Sequence, residues 1–336
     1  MGSVKDVLKK YGVYPHQIRK ISERLYQVSD GQHVYALKQS RLTKNTVQKW
    51  EQIYHQAYAL NLPNILPVYL TRQSDLYVKM DDSYYYVTPW IFEYQQSREQ
   101  AITNGFETIG NIHAKTKQSI SIDTDSILGN FRQYRQKNAE LQNILLDYVS
   151  RFEQNRFMSP FELQVCTHYH VLTRLLPELD DHTVRFMNEL ESDQKWTYCL
   201  CHGHLTLSHF LHHRHTYLIN WEQAAYDHAV FDLTTLLHGQ VRHYDLSPEQ
   251  LVELFSAYNR KNPLNTSEKH LLTIYLLDPA HYMSLIDNYV EHPEQQTMIK
   301  RTQLLQSAFH QLELGLKWST LTQYDDIPES ESESEA

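Results

Sequence analysis

The sequence predicts an α+β chain: a small antiparallel sheet with one inserted helix, then a larger, mostly helical part. Three observations predict it. Two hairpin patterns flank a single helical pattern within the first ninety residues. From about residue 95 the apolar spacing turns helical and stays so over long stretches. At 336 residues the chain exceeds what one compact core usually holds, so two packing units are expected. The expected divisions are a sheet-rich part over 1–92, a helical part over 93–320 and an acidic tail over 321–336.

Each element follows from local chemistry. "SVKDVLKKYGVY" reads as a short amphipathic helix stopped at Gly12. "ERLYQV", "SDG" and "QHVYALKQS" read as a hairpin turning at Asp30-Gly31, with Val34, Ala36 and Lys38 on one strand face. "NTVQKWEQIYHQAYAL" spaces Val47, Trp50, Ile53, Tyr54, Ala57 and Tyr58 as a helix face, with Asn45 or Thr46 as its cap. "NLPNILPVY" ends it, and "DLYVKM", "DDS", "YYYVTPWI" form a second hairpin. "GFETIGNIHAKTK" places Phe106, Ile109, Ile112 and His113 on one side of a helix, and helical segments continue to about 190. Residues 197–222 break into short strands and loops, and 230–318 return to helix. "IPESESESEA" is low-complexity and acidic, and is expected to be disordered, with a solvated tether or partner hook as the alternative. No internal repeat is visible.

Composition limits the function. The net charge is −9, and Asp325, Asp326, Glu329, Glu331, Glu333 and Glu335 carry six of those charges. Without them the body is close to neutral, so no global basic face for nucleic acid is expected. No run of eighteen apolar residues predicts a membrane span. "MGSVKDVLKKYG" has no apolar core of a secretory signal, and Asp6 breaks the myristoylation pattern. Three cysteines make no disulfide framework and suit a reducing interior. The nine glycines fall well below the usual ~7%, which leaves few turns able to cradle phosphate.

The stretch "CLCHGHLTLSHFLHHRHTYLINWE", 199–222, concentrates cysteine and histidine. On a strand Cys199 and Cys201 face the same way, so both could touch one ion. His204 and His209 are spaced H-x4-H. Against the metal reading stands a plainer one, with small cysteines packed on a core strand and histidines on a surface hairpin.

The order of residues in "HGHLTLSHFL…YLINWE" resembles the catalytic core of the aminoglycoside phosphotransferase and choline kinase family. The family pattern is H-G-D-[LF]-x-x-x-N, a short hairpin, then hydrophobic-I-D-[WF]-E. The resemblance implies a bilobal protein-kinase-like fold. It also implies a loop Asp handling the substrate proton, and an Asn and a second Asp holding magnesium. Those positions fall on His204, His209 and Asn220, so all three are replaced. Lys38 in "YALK" matches the lysine that reaches the ATP phosphates, and Glu51 is the candidate for its helix partner. "VTPWI", with Pro89 and Trp90, is similar to the hinge that meets the adenine. "IGNIHAKTK" is similar to the family's "LA-x-x-H-x-x-S" helix, which implies a structural His113. "YDHAVFDLTTLL" is similar to the "GDP-x-x-D-L-A" segment, which implies a scaffolding Asp232. The phosphate-covering loop should lie in "ISERLYQV", which has no glycine and carries Glu23.

The resemblance covers roughly residues 15–320. Within the superfamily the chain looks most like the bacterial spore-coat kinase-like proteins of the CotS, YutH and YsxE group, nearest the YsxE type. Cues are "YALKQS", "ILPVYLTRQSDLYV", "YYYVTPWI" and "IGNIHAKTK". The function expected on that basis is a catalytically inactive pseudokinase, a structural or assembly module. It would be made in the mother-cell cytoplasm and built into the spore coat with other coat proteins. Neither nucleic acid nor membrane is an expected partner, and no cofactor is expected. One alternative is an active ATP-dependent phosphotransferase on a small hydroxylated or amino substrate or a coat protein. It would use His204 as base and hold metal through unusual ligands such as Glu222 and Asp227. Another is a kinase fold binding a transition metal through Cys201, His204 and His209.

Overall fold

A computed structural model of the chain describes residues 2–241, 246–292, 294 and 296–322. The elements run, in chain order, α1 (Gly2–Lys10), β1 (Gln17–Lys20), β2 (Leu25–Ser29), β3 (Val34–Ser40), α2 (Val47–Ala59), β4 (Val78–Met80), β5 (Ser83–Pro89), α3 (Arg98–Thr116), β6 (Gln118–Ser121), α4 (Asp125–Glu153) and α5 (Pro160–Asp193). They continue as β7 (Lys195–Cys201), β8 (Phe210–His212), β9 (Thr216–Leu218), β10 (Ala225–Asp227), α6 (Ala229–Gln240), α7 (Pro248–Asn259), α8 (Thr266–Leu277), α9 (Ala280–Glu291) and α10 (Met298–Thr322). The tail assigned to 321–336 lies outside the described residues except for 321 and 322, which finish α10. No helix among the described residues is long and apolar enough to cross a membrane.

By packing, the chain falls into two units, the first holding Met1–Lys117, Cys199–Ala229 and Arg260–Asn262. The sequence division at residue 92 follows chain order. The packing division groups α3 and the 199–229 segment with the N-terminal sheet.

In the first unit five antiparallel strands lie in the order β1-β2-β3-β5-β4. Val7 and Leu8 of α1 pack with Val28, Leu37 and Val87 into a buried cluster on one sheet face. Strand alternation sends Ala36 and Lys38 to the other face, beside Tyr86, which pairs opposite Lys38. Both predicted hairpins are present, and Gly12 stops α1 with a positive φ of 76°. Asp30 Oδ1 accepts from the Gln32 and His33 amides and sets the first turn.

Two features differ from the sequence reading. β1 was not foreseen: it is a four-residue, largely exposed edge strand, and such a strand has no apolar alternation to read. Tyr58 lies at the edge of the α2 stripe, not on it. The buried face is Val47, Trp50, Ile53, Tyr54 and Ala57, and Tyr58 is 90% exposed.

The second unit is mainly helical, as predicted for the long segments. α5 starts in a capping box, where Ser159 Oγ accepts from the Glu162 amide and Glu162 accepts from the Ser159 amide. Asn265 and Glu268 do the same for α8. A buried polar chain joins three helices here. His270 Nδ1 meets His182 Nδ1 at 3.0 Å, His182 Nε2 meets Ser319 Oγ at 2.9 Å, and Ser319 donates to Glu178 at 3.0 Å. β6 pairs with Lys195–Tyr198 in this unit, a second strand that the sequence did not reveal.

Candidate functional site

The residues singled out at 202–222 and on β3 come together within the first unit. His202 is buried, and its Nε2 donates to the Ile219 carbonyl at 2.8 Å. Gly203 then turns the chain with φ 79°. Leu205 and Phe210 are buried on either side of the loop's polar residues. Trp221 is buried and donates from Nε1 to the Leu218 carbonyl at 3.0 Å. The loop and the 219–223 turn are therefore stapled together by the His202 bond to the Ile219 carbonyl and by the Ile219 amide, which donates to His209 O.

A Cβ at Gly203 would collide with the Gln223 carbonyl, and the backbone there is left-handed. Gly203→Ala is expected to cost about 2 kcal/mol or more of stability, combining the αL penalty with that clash. Urea unfolding of both proteins checks it. A change below about 0.5 kcal/mol would mean that the loop relaxes freely.

Lys38 is the centre of the site. Its Nζ donates to Glu222 Oε1 at 2.6 Å and to Asn220 Oδ1, and it lies 5.6 Å from the Tyr86 ring centroid. Tyr86 Oη donates to the same Glu222 oxygen at 3.0 Å. Burial pushes the Lys38 ammonium below its ordinary range, opposed by the adjacent Glu222 charge. Burial would push Glu222 up, yet Lys38 and Tyr86 hold its carboxyl below the ordinary value. Asn220 adopts φ 69°, ψ 47°, a conformation that Asn tolerates better than most residues.

Lys38 therefore pairs with Glu222, and Glu51 is not its partner. Glu51 shares the edge of the α2 stripe with Tyr58, seven residues on. Its charge acts on Tyr77. The α2 residue that reaches the site is Tyr54, whose phenol is pushed up by burial and by Glu222. Tyr54 and Tyr86 were not foreseen as site residues. A pair of tyrosines at helix and strand positions carries no local signal that both lie beside one carboxylate.

His209 is half-buried, with its Nδ1 3.3 Å from Thr206 Oγ1 and its ring 4.9 Å from that of His202. Burial, with smaller contributions from His202, His204 and Lys38, lowers it to about 4, so it is a neutral imidazole at pH 7. His204 is exposed, with its ring 5.9 Å from that of His209. Asp227 lies exposed on β10 and accepts from the His228 amide at 2.7 Å. Asp232 is buried in the first turn of α6.

A cavity of about 430 Å³ adjoins Lys38. Ala36, Tyr86, Thr88, Pro89, Trp90 and Asn220 are among its walls. Lys38, Pro89 and Trp90 thus line one space, and Glu51 does not. At its other side the predicted phosphate-covering segment is a tight turn. The Ile21 and Ser22 amides both donate to the Leu25 carbonyl, at 2.9 and 3.2 Å.

The cysteines lie where the strand reading put them. Cys199 and Cys201 are buried and share a face of β7, with their sulfurs 3.8 Å apart. The grouping of Cys201 with His204 and His209 does not form. Among the described residues the Cys/His/acid group whose ligand atoms converge is His113, Cys199 and Cys201. The left-handed turn at Gly203 separates the strand from the loop histidines. Nor do Glu222 and Asp227 converge with a third such ligand among the described residues.

The fold these features build is that of the protein-kinase-like phosphotransferases. An aminoglycoside phosphotransferase from Alicyclobacillus acidocaldarius superposes with a TM-score of 0.74 at 17% identity, over 96% of this chain and 95% of that one. AMP-bound spectinomycin phosphotransferase gives 0.57 at 14% identity, over 94% and 98%. A microcompartment-associated aminopropanol kinase gives 0.54 at 15%, over 95% and 97%. No curated protein matches the chain in sequence. The chain belongs to the family described as spore coat putative kinase YutH, which it matches over residues 4–314. The spore-coat group read from the sequence is therefore correct, and the matching family within it is YutH.

Proposed function

We propose that this chain is a spore-coat pseudokinase: a kinase fold that works as a binding or assembly module among coat proteins and does not transfer phosphate. The observation that carries this reading is the state of Lys38. Its ammonium is held by Glu222 and Asn220 within the molecule. The loop around it offers an exposed His204, a neutral His209 and an uncharged Asn220 where the family resemblance implies two carboxylates and an amide. That donor set does not fit magnesium, a hard cation that wants carboxylate oxygen. At the Ile21–Leu25 turn the Ile21 and Ser22 amides are spent on the Leu25 carbonyl, which leaves those two unavailable to a triphosphate. The cavity beside Pro89 and Trp90 keeps the volume for a flat small ligand, so binding without transfer is the role assigned to it. The spore-coat family supports incorporation into the coat, and synthesis in the mother cell is part of the same proposal.

Calorimetric titration with ATP, in magnesium, in manganese and in neither, tests the reading alongside a phosphotransfer assay. The expected result is no metal-dependent binding and no transfer. Turnover that disappears in both His204→Ala and Lys38→Ala would overturn it and establish a working phosphotransferase with altered ligands.

A further inference from the structure

The geometry points to a structural zinc site formed by His113, Cys199 and Cys201, buried beneath the loop and independent of whatever the cavity beside Lys38 binds. All three side chains are buried, His113 completely. One ligand atom from each lies within 4.8 Å of the other two.

The sulfur spacing is the first argument. Two thiolates on one tetrahedral zinc, with Zn–S bonds of about 2.3 Å, stand about 3.8 Å apart. Cys199 Sγ and Cys201 Sγ are 3.8 Å apart. Strand alternation produces this spacing, because residues two apart share a face and the intervening Leu200 points away.

The second argument is how firmly the third ligand is fixed. His113 sits in the last turn of α3. Three residues on, Thr116 Oγ1 accepts from the Leu200 amide at 3.0 Å, midway between the two cysteines. Thr116 Oγ1 also donates to the Ile112 carbonyl at 2.7 Å. One hydroxyl thus locks the helix end carrying the imidazole onto the strand carrying the thiols. On the other side β10 pairs with the same strand, Ala225 opposite Cys201 and Asp227 opposite Cys199. The Asp227 and His228 carbonyl oxygens each lie 3.4 Å from Cys201 Sγ, and a fourth ligand, a water or one of these oxygens, is needed to complete a tetrahedral shell. Ligand atoms from one helix and one strand thus converge within 4.8 Å.

The third argument is charge. Two cysteine thiolates, a neutral imidazole and Zn2+ sum to zero, which a buried site tolerates. Two bare thiolates there would not be tolerated. Soft sulfur with imidazole excludes magnesium and calcium, and monovalent copper would leave a net negative charge in the interior. Binding releases the two thiol protons, so affinity should fall in acid.

The test uses the full chain, prepared without a histidine tag from zinc-supplemented cells. Elemental analysis should find a single zinc per chain, and X-ray absorption at the zinc edge should show two sulfur neighbours. Stripping the zinc and adding cobalt alone should produce thiolate-to-cobalt charge-transfer absorption with tetrahedral bands. Cys199→Ser, Cys201→Ser and His113→Gln should each lower zinc content at least tenfold, whereas His204→Ala and His209→Ala should retain it. A folded wild-type chain without stoichiometric zinc, and without a cobalt–thiolate band, would overturn the assignment. So would zinc with no sulfur in its shell, zinc lost in the His204 or His209 variants, or a Cys199–Cys201 disulfide in the protein as isolated. The wild-type measurements decide the question even if a cysteine variant fails to fold.

Discussion

Acidifying the protein from about pH 7 to about pH 4.5 is expected to lower its melting temperature steeply, well before most carboxylates titrate. The cause is a set of histidines that fold neutral. His168, His209 and His238 are each lowered from 6.5 to about 4, chiefly by burial. Between about pH 4 and 6.5 the unfolded chain binds protons at these rings and the folded chain does not, so acid favours unfolding. Above about pH 6.5 both forms are neutral and these groups contribute no slope. A displacement of about 2.5 units is worth up to about 3 kcal/mol per ring by pH 4, less where water reaches the imidazole, as at half-buried His209. Three such rings rival the whole stability of an ordinary domain. Circular-dichroism melts at half-unit pH steps would show it. A melting temperature flat between about pH 7 and 5 would mean that the rings stay wet.

Glu222→Ala is expected to cost about 3 kcal/mol, because it strands a partly buried ammonium. Lys38 and Glu222 are only 24% and 13% exposed, and Asn220 alone cannot neutralise the lysine. Lys38→Met should cost less, since Glu222 keeps its bond from Tyr86. The double variant Lys38→Met/Glu222→Ala should recover much of the loss, with a coupling of about 1–3 kcal/mol between the two sites. Chemical denaturation of the four proteins measures it. Effects that simply add would show that the two charges do not depend on each other.

The readable parts of this molecule are those set by local period and turn chemistry. Asp30-Gly31 turns the first hairpin, the α2 stripe from Val47 to Ala57 is buried, and Cys199 and Cys201 share a face. The H-G-x loop and the "LINWE" turn were recognisable by order alone, and they meet as the resemblance implied. What stayed hidden depends on distant pairing. Lys38 and Glu222 are 184 positions apart, and nothing near either residue reports the other. Glu51 was the natural choice by analogy, but a rotation of the helix stripe puts Tyr54 toward the site and Glu51 to the side. β1 and β6 are short strands with exposed faces, so they lack the alternation that marks a strand. His113 was legible as a buried helix residue, whereas its meeting with two cysteines nearly ninety residues later was not.

The bond between Lys38 and Glu222 has a consequence for selectivity. Any anion that seeks the lysine must displace a carboxylate already tethered beside it, at the high effective concentration of an intramolecular rival. The observed affinity is scaled down by the fraction of molecules in which the lysine is released, and that fraction is small while the bond holds. Uncharged molecules face no such competition. The cavity beside Lys38 is thereby biased toward neutral guests by a carboxylate of its own chain.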